Sequence, residues 1–197
     1  MVFDYAIALT GSIATGKSSV ASIFKEYGFK IIDADRVAHN ILDREYKKIE
    51  KLFGSEYISE KSVNRKYLGS LIFSNKEAKK MLEALLHPLI YNEIERLSTS
   101  LEQKKQPYLI DIPLFFESNR YPIEKTIVVY TPKEIQLKRL MLRDNFSKEE
   151  ALSRINAQID IEIKKEKATY LIDNSKDLIT LQQECDKITK KILYNFT

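Results

Sequence analysis

Gly11-Ser12-Ile13-Ala14-Thr15-Gly16-Lys17-Ser18 is the stretch that decides the fold. It fits the pattern G-x-x-x-x-G-K-[ST], and both flanks agree with it. Ahead of it, Tyr5-Ala6-Ile7-Ala8-Leu9 is an apolar run of the kind that forms a buried strand. Behind it, Val20, Ile23, Phe24 and Tyr27 recur at helical spacing, and Gly28 offers a stop. Backbone N–H groups of such a loop wrap phosphate oxygens at a helix N-terminus, where the dipole favours anions. Gly11, Ser12, Ile13, Ala14, Thr15 and Gly16 supply that cradle, with Ser19 just beyond it. Lys17 is placed to reach β- and γ-phosphates, and the Ser18 hydroxyl to ligate Mg2+. A chance glycine-rich turn would need both glycines, the lysine, the serine and both flanks to coincide.

Four more apolar runs lie outward from this one. Phe29-Lys30-Ile31-Ile32 ends at Asp33-Ala34-Asp35, and Leu109-Ile110-Asp111-Ile112 sits between Pro107 and Pro113. Thr126-Ile127-Val128-Val129-Tyr130 is β-branched and continuous, and Tyr170-Leu171-Ile172 ends at Asp173-Asn174-Ser175. Short, non-alternating strands separated by helical stretches predict an α/β fold of the P-loop NTPase type. Its five-stranded parallel sheet is covered by helices on both faces. Ligands of open α/β sheets bind at the carboxyl ends of the strands. Here those are the segments after Thr10, Asp33, Asp111, Thr131 and Asp173.

Between the second and third strands the spacing predicts only helices: 45–53, 65–73 and a long one over 76–101, with His87-Pro88 as a break in its pattern. The insertion is too long for a simple crossover and reads as a helical substrate-side piece over about 45–105. The segment 145–167 is rich in Lys, Glu and Arg. It is expected either to move as a lid with few core contacts or to form a solvated helical hairpin. The remainder, about 1–44, 106–144 and 168–197, is the nucleotide-binding core of a single domain.

At 197 residues, with 44% hydrophobic and 30% charged side chains, the composition is that of one globular domain. The net charge of +4 is mild and spread along the chain, which suits phosphate anions but does not argue for nucleic acid. Cys185 is the single cysteine, so no internal disulfide forms; it falls in the apolar pattern of a late helix and reads as buried rather than reactive. No secretory pattern opens the chain, and no apolar run approaches the ~20 residues of a membrane span. A cytoplasmic monomer without nucleic-acid or membrane partners is expected.

Phosphoryl transfer requires phosphate positioning, charge neutralisation and an oriented nucleophile. Asp111, at a strand end, is placed as a second carboxylate on the metal side; its alternative is a turn or cap carboxylate. Asp33 and Asp35 end the neighbouring strand, where a carboxylate can take the proton of an acceptor hydroxyl. Helix capping competes with that role, more strongly for Asp35 than for Asp33. Arg139 and Arg143 lie four apart after the fourth strand, with Gln136 nearby, and share a helical face able to clamp phosphates. The bland reading is an exposed basic face paired with Glu134 and Asp144. Neither His39 nor His87 has a triad or metal partner in sequence.

Taken together, these motifs resemble the dephospho-coenzyme A kinase family over nearly the whole chain. Ala8-Leu9-Thr10 leading into Gly11–Ser18 is similar to its phosphate loop, and Ile32-Asp33-Ala34-Asp35-Arg36-Val37-Ala38-His39 to its second motif. Phe53-Gly54, Asn64-Arg65 with Leu68, Ile72-Phe73, Leu82-Glu83, and Leu86-His87-Pro88-Leu89-Ile90 follow in order. So do Asp111-Ile112-Pro113-Leu114-Phe115-Phe116-Glu117, then Gln136, Arg139, Arg143, Arg154, Gln158 and Asp173-Asn174. The resemblance implies ATP-dependent phosphorylation of the ribose 3′-hydroxyl of dephospho-coenzyme A, with Mg2+. It implies Asp33 as base, Arg139 and Arg143 on ATP and the transferring phosphate, and the region of Asn174 on adenine. It also places His87, Arg65 and Gln158 with Asp33 on the substrate side. Ser12 and Ala14 stand where the family has glycines, and Ala14 puts a Cβ where a positive φ is preferred.

Two other readings compete. Another nucleoside or small-molecule kinase on this fold would lack the Asp33-Ala34-Asp35 and His87-Pro88-Leu89-Ile90 motifs. A GTP switch needs N-K-x-D, whereas Asn75-Lys76 is followed by Glu77-Ala78.

Overall fold

The computed structural model describes residues 3–196. Five parallel strands form one sheet: β1 (Ala6–Gly11), β2 (Ile31–Asp33), β5 (Tyr108–Asp111), β6 (Lys125–Tyr130) and β7 (Tyr170–Asp173), in spatial order β2-β5-β1-β6-β7. Every residue of β1 is buried, as an apolar run between two neighbours and two helical layers requires. Leu9 pairs with Asp111 on one side and Ile127 on the other. Because β1 is central and its neighbours come from later in the chain, the loop that leaves it sits at the topological switch point, where such sheets bind ligands.

Helix α1 (Lys17–Glu26) presses Val20, Ala21 and Phe24 onto β1, and α10 (Leu178–Asn195) adds Leu181, Cys185, Ile188 and Ile192 to the same core. The 4-3-4 spacing of those α10 residues is one helical stripe, and Cys185 is fully buried in it, as its sequence context predicts. Among the described residues no helix is long and apolar enough to cross a membrane.

The chain divides into two compact units, one of residues up to Ile32 and from Ser98, the other Asp33–Leu97. The second unit holds α2 (Ala34–Arg44), α3 (Tyr46–Phe53), α4 (Arg65–Ser74) and most of α5 (Lys76–Glu102). It also holds a feature the sequence did not announce: a hairpin of β3 (Ile58–Ser59) and β4 (Ser62–Val63). Its turn places Glu60 at φ 48° and Lys61 at φ 65°, the left-handed pair of a tight hairpin, with neither the Asn nor the Gly that usually signals it.

Pro88 does not end the long helix. α5 runs through it for 27 residues. Ala78, Leu82, Leu86, Ile94 and Ser98 are buried at multiples of four on both sides of the proline, so one packed stripe outweighs a missing backbone donor. Asn75 caps this helix, its side-chain oxygen accepting from Glu77 and Ala78 N–H at 3.0 Å each, which gives the Asn75-Lys76 pair a structural use.

The segment 145–167 also departs from expectation. It forms α8 (Lys148–Asn156) and α9 (Ile161–Glu166), and it is not thinly packed. Ala151 and Ile155 join Leu140 of α7 (Lys133–Asp144) in a small apolar cluster against which Ile13 and Ala14 of the phosphate loop pack. Ile161 and Lys164 are buried as well. Its many charges occupy the outer faces, which is why composition alone reads it as loose.

Candidate active site

The backbone builds the anion site first. Gly16 is the N-cap of α1 at φ 85°, with no side chain capping the helix. A Cβ there would lie 2.1 Å from Asn174 Nδ2, so Gly16 answers both a left-handed backbone and a close approach. Thr15 N–H donates to Ser12 O at 3.2 Å and Ser19 N–H to Gly16 O at 3.0 Å. The N–H groups of Ala14, Gly16, Lys17 and Ser18 meet no acceptor among the described residues. Four unpaired donors at a helix N-terminus are an anion's ligands. Ala14 adopts φ 61°, the left-handed conformation that its place in the loop anticipates.

Beneath the loop lies a hydrogen-bonded brace. Asn174 Nδ2 donates to Thr15 O at 2.7 Å. Arg139 donates through Nη2 to Asn174 O at 2.9 Å and through Nη1 to Thr131 Oγ1 at 3.3 Å. Thr131 Oγ1 lies within 3.3 Å of Thr15 O, 3.1 Å of Asn174 O and 2.8 Å of Tyr130 O, but a hydroxyl has one proton to give. The Asn174 amide is therefore the dependable donor to Thr15 O. Asn174 is 7% exposed, and its side chain holds the loop from below. Arg139 is tied to the same brace, and not to Glu134 as the reading of an exposed basic face would have it. Gln136, also buried, donates to Thr131 O at 2.7 Å and so lies below the phosphate face too.

Above the loop is a cavity of about 280 Å3 lined by Gly11, Ser12, Ile13, Ala14, Gly16, Lys17, Ser18, Pro113, Arg143 and Gln158. Lys17 of this lining forms an ion pair through Nζ with Asp111 Oδ1. Arg143 pairs with the adjacent Asp144 through Nε and Nη2, both at 2.9 Å, and that carboxylate raises its already high pKa. It remains a cation on the rim at any working pH. Gln158 Oε1 accepts Ile13 N–H at 2.9 Å, so the structure puts this residue on the phosphate loop itself.

In the second unit Asp33, not Asp35, caps α2: Asp33 Oδ1 accepts Arg36 N–H at 2.9 Å while Asp35 is exposed in the first turn. Helix α2 starts at Ala34, two residues earlier than the capping argument for Asp35 assumes. The second carboxylate oxygen of Asp33 has no partner among the described residues. Arg65, at the head of α4, pairs with Asp43 at the end of α2. His87 is half-buried in the middle of α5.

Among the described residues no group of three or more His, Cys, Asp or Glu side chains gathers to hold a metal. A nucleotide-bound Mg2+ needs few protein ligands, and the exposed Ser18 hydroxyl, free of any hydrogen bond to the described residues, together with Asp111 fits that modest requirement.

Two further side chains complete the site: Lys164, which no motif marked, and Glu117, a motif residue with no role assigned from sequence. Lys164 is fully buried, donates to Gly11 O at 2.8 Å and pairs with Glu117 Oε1 at 2.7 Å. Glu117 belongs to the short helix α6 (Phe115–Ser118). In the run Lys164-Lys165-Glu166-Lys167 nothing marks the first lysine as different from its solvated neighbours.

Comparison with known proteins gives the family. The family model described as dephospho-CoA kinase matches residues 5–180. A dephospho-CoA kinase of Sulfurimonas denitrificans is 54% identical over 98% of this chain and 96% of its own. The solved dephospho-CoA kinase of Campylobacter jejuni is 42% identical, superposes with a TM-score of 0.79 and is covered over 99% of its length, with 98% of this chain. A shikimate kinase of Acinetobacter baumannii, 17% identical with a TM-score of 0.52 over 97% of this chain and 94% of its own, shares the fold. The chain belongs to the dephospho-CoA kinase family.

Proposed function

We propose that this chain carries out its family's reaction at the loop Gly11–Ser18: it transfers the terminal phosphate of ATP to the ribose 3′-hydroxyl of dephospho-coenzyme A, the last step of coenzyme A synthesis. The observation that carries the reading is the pairing of Lys17 with Asp111 over loop amides that have no acceptor. ATP phosphates satisfy those amides and draw Lys17 from the carboxylate, since a polyphosphate outbids a single carboxylate for a cation in the same cavity. Arg143 adds a second positive charge on the rim. Asp33 offers its free oxygen to the acceptor hydroxyl and takes its proton. Asp111, released from Lys17, and Ser18 are the residues that would hold Mg2+, which would supply charge neutralisation for the donor phosphates. The segment 145–167, whose Gln158 accepts from the loop at Ile13 N–H, serves as the lid of this reaction. Arg65 and His87 serve the acceptor side, in the second unit.

ATP consumption measured with dephospho-coenzyme A against a panel of nucleosides, nucleotides and shikimate tests the reading. Turnover with dephospho-coenzyme A well above every other acceptor is expected. Equal or greater turnover with another member of the panel overturns it.

A further inference from the structure

We propose that Lys164 and Glu117 are positioning residues for the nucleotide, a buried clasp that locks the lid segment and the phosphate loop into one ATP-ready unit. The inference rests on the nucleotide-binding reading of the loop.

The clasp has three connected links. Lys164 Nζ donates to the carbonyl of Gly11, the first residue of the loop, at 2.8 Å and to Glu117 Oε1 at 2.7 Å. The same Glu117 oxygen accepts Ile159 N–H at 3.1 Å. Next to Ile159, Gln158 accepts Ile13 N–H at 2.9 Å. Thus α9 and the turn before it grip the loop at two points, residues 11 and 13, and Glu117 fixes the grip. Farther out, Glu162 accepts from Tyr130 OH at 2.6 Å and Lys165 lies 4.4 Å from the centre of the same ring, so α9 is anchored on both sides.

Packing alone does not call for an ion pair here. Lys164 is 0% exposed, and a methionine of similar length fills the same space without desolvating a charge. Burying the ammonium carries a cost that apolar neighbours do not recover. What the ammonium alone supplies is simultaneous donation to a loop carbonyl and a carboxylate. Glu117 Oε2 is buried without a hydrogen-bond partner, so the pair is held in place despite incomplete satisfaction.

Two variants separate positioning from simple stability. Lys164→Met strands the Glu117 carboxylate and should lower the melting temperature. Lys164→Met/Glu117→Gln removes both charges, keeps an acceptor for Ile159 N–H, and should recover most of that loss. ATP affinity is titrated well below each melting temperature. Both variants should bind ATP about tenfold or more weakly, the effect of losing a charge-assisted hydrogen bond to the loop, while the KM for acceptor at saturating ATP holds. A double variant that binds ATP as the parent does overturns the inference. A parent that binds no ATP overturns the nucleotide reading instead. Amide exchange on the parent protein gives an answer even where a variant does not fold. A non-hydrolysable ATP analogue should slow exchange at Ile159 together with the loop amides; protection confined to the loop overturns the clasp.

Discussion

Lys17, which lines the phosphate-loop cavity, forms an ion pair with Asp111 that joins the first turn of α1 to the end of β5. Both side chains are mostly shielded, at 20% and 14% exposure, so the pair is more than a surface contact and less than a buried one. In the proposed reaction the donor phosphate takes the lysine over and frees its carboxylate partner.

Replacing Lys17 with alanine should leave the fold intact, because the side chain lies outside the apolar core of β1, α1 and α10. The rate of transfer should fall by roughly 10²–10³, the scale on which a lost donor to developing charge is felt. Melting temperature and kcat on the same preparation check this. A folded variant with near-parent kcat removes Lys17 from the mechanism.

Asn174→Ala removes the donor to Thr15 O from a buried site where one Thr131 proton faces three acceptors. Stability should drop by about 1–3 kcal/mol, the range for an unsatisfied buried polar group. ATP affinity should weaken as well, because the loop loses its brace. Denaturant melts with parallel ATP titrations test it; a variant as stable as the parent with unchanged affinity speaks against the brace.

Two loop positions with positive φ should respond very differently. At Ala14, glycine relieves a left-handed strain of about 1 kcal/mol, but it forfeits a half-buried methyl and raises the entropy of the unfolded chain by comparable amounts. Ala14→Gly should therefore change stability by less than about 1 kcal/mol. At Gly16, alanine adds the left-handed strain and drives a Cβ to 2.1 Å from Asn174 Nδ2. Gly16→Ala should displace the brace and nearly abolish ATP binding. Thermal melts and ATP titration of both variants decide; equal behaviour contradicts the loop geometry.

Cys185 tests the core. Burial, with Asp186 and Glu184 adding to it, pushes its thiol pKa up to about 12. At neutral pH it is protonated and enclosed, so a thiol reagent should label it only on unfolding. Because its folded pKa is raised, its contribution to stability is full below the ordinary thiol range of about 8.5. That contribution is lost as pH rises from there toward about 12. Labelling of the native protein at the rate of a free thiol, or a Cys185→Ala variant with the parent's alkaline stability profile, counts against it.

Much of this was legible in the sequence because the signals were local. Five apolar runs are five strands within one or two residues, and the Gly11–Ser18 pattern carries its own geometry, including the left-handed Ala14. What escaped reading was set by tertiary contact. A lysine is buried or solvated according to what faces it, and Lys164 differs from Lys165 only in having Gly11 O and Glu117 opposite. Asn174 and Gln158 were visible as motif residues, but not that one supports the loop from below and the other from the lid side. The β3–β4 hairpin hid because Glu60 and Lys61 fill positions where Gly or Asn is expected.

In the proposed reaction the acceptor hydroxyl gives its proton to Asp33 as it attacks ATP held on the phosphate loop. The single-turnover rate of 3′-phosphoryl transfer by Asp33→Asn isolates that step. Asparagine caps a helix about as well as aspartate, so the hydrogen bond to Arg36 N–H and the start of α2 are retained while the basic charge is lost. Melting temperature and ATP affinity should match the parent's, with transfer slower by roughly 10²–10⁴. A folded Asp33→Asn protein that transfers phosphate at the parent rate would contradict it.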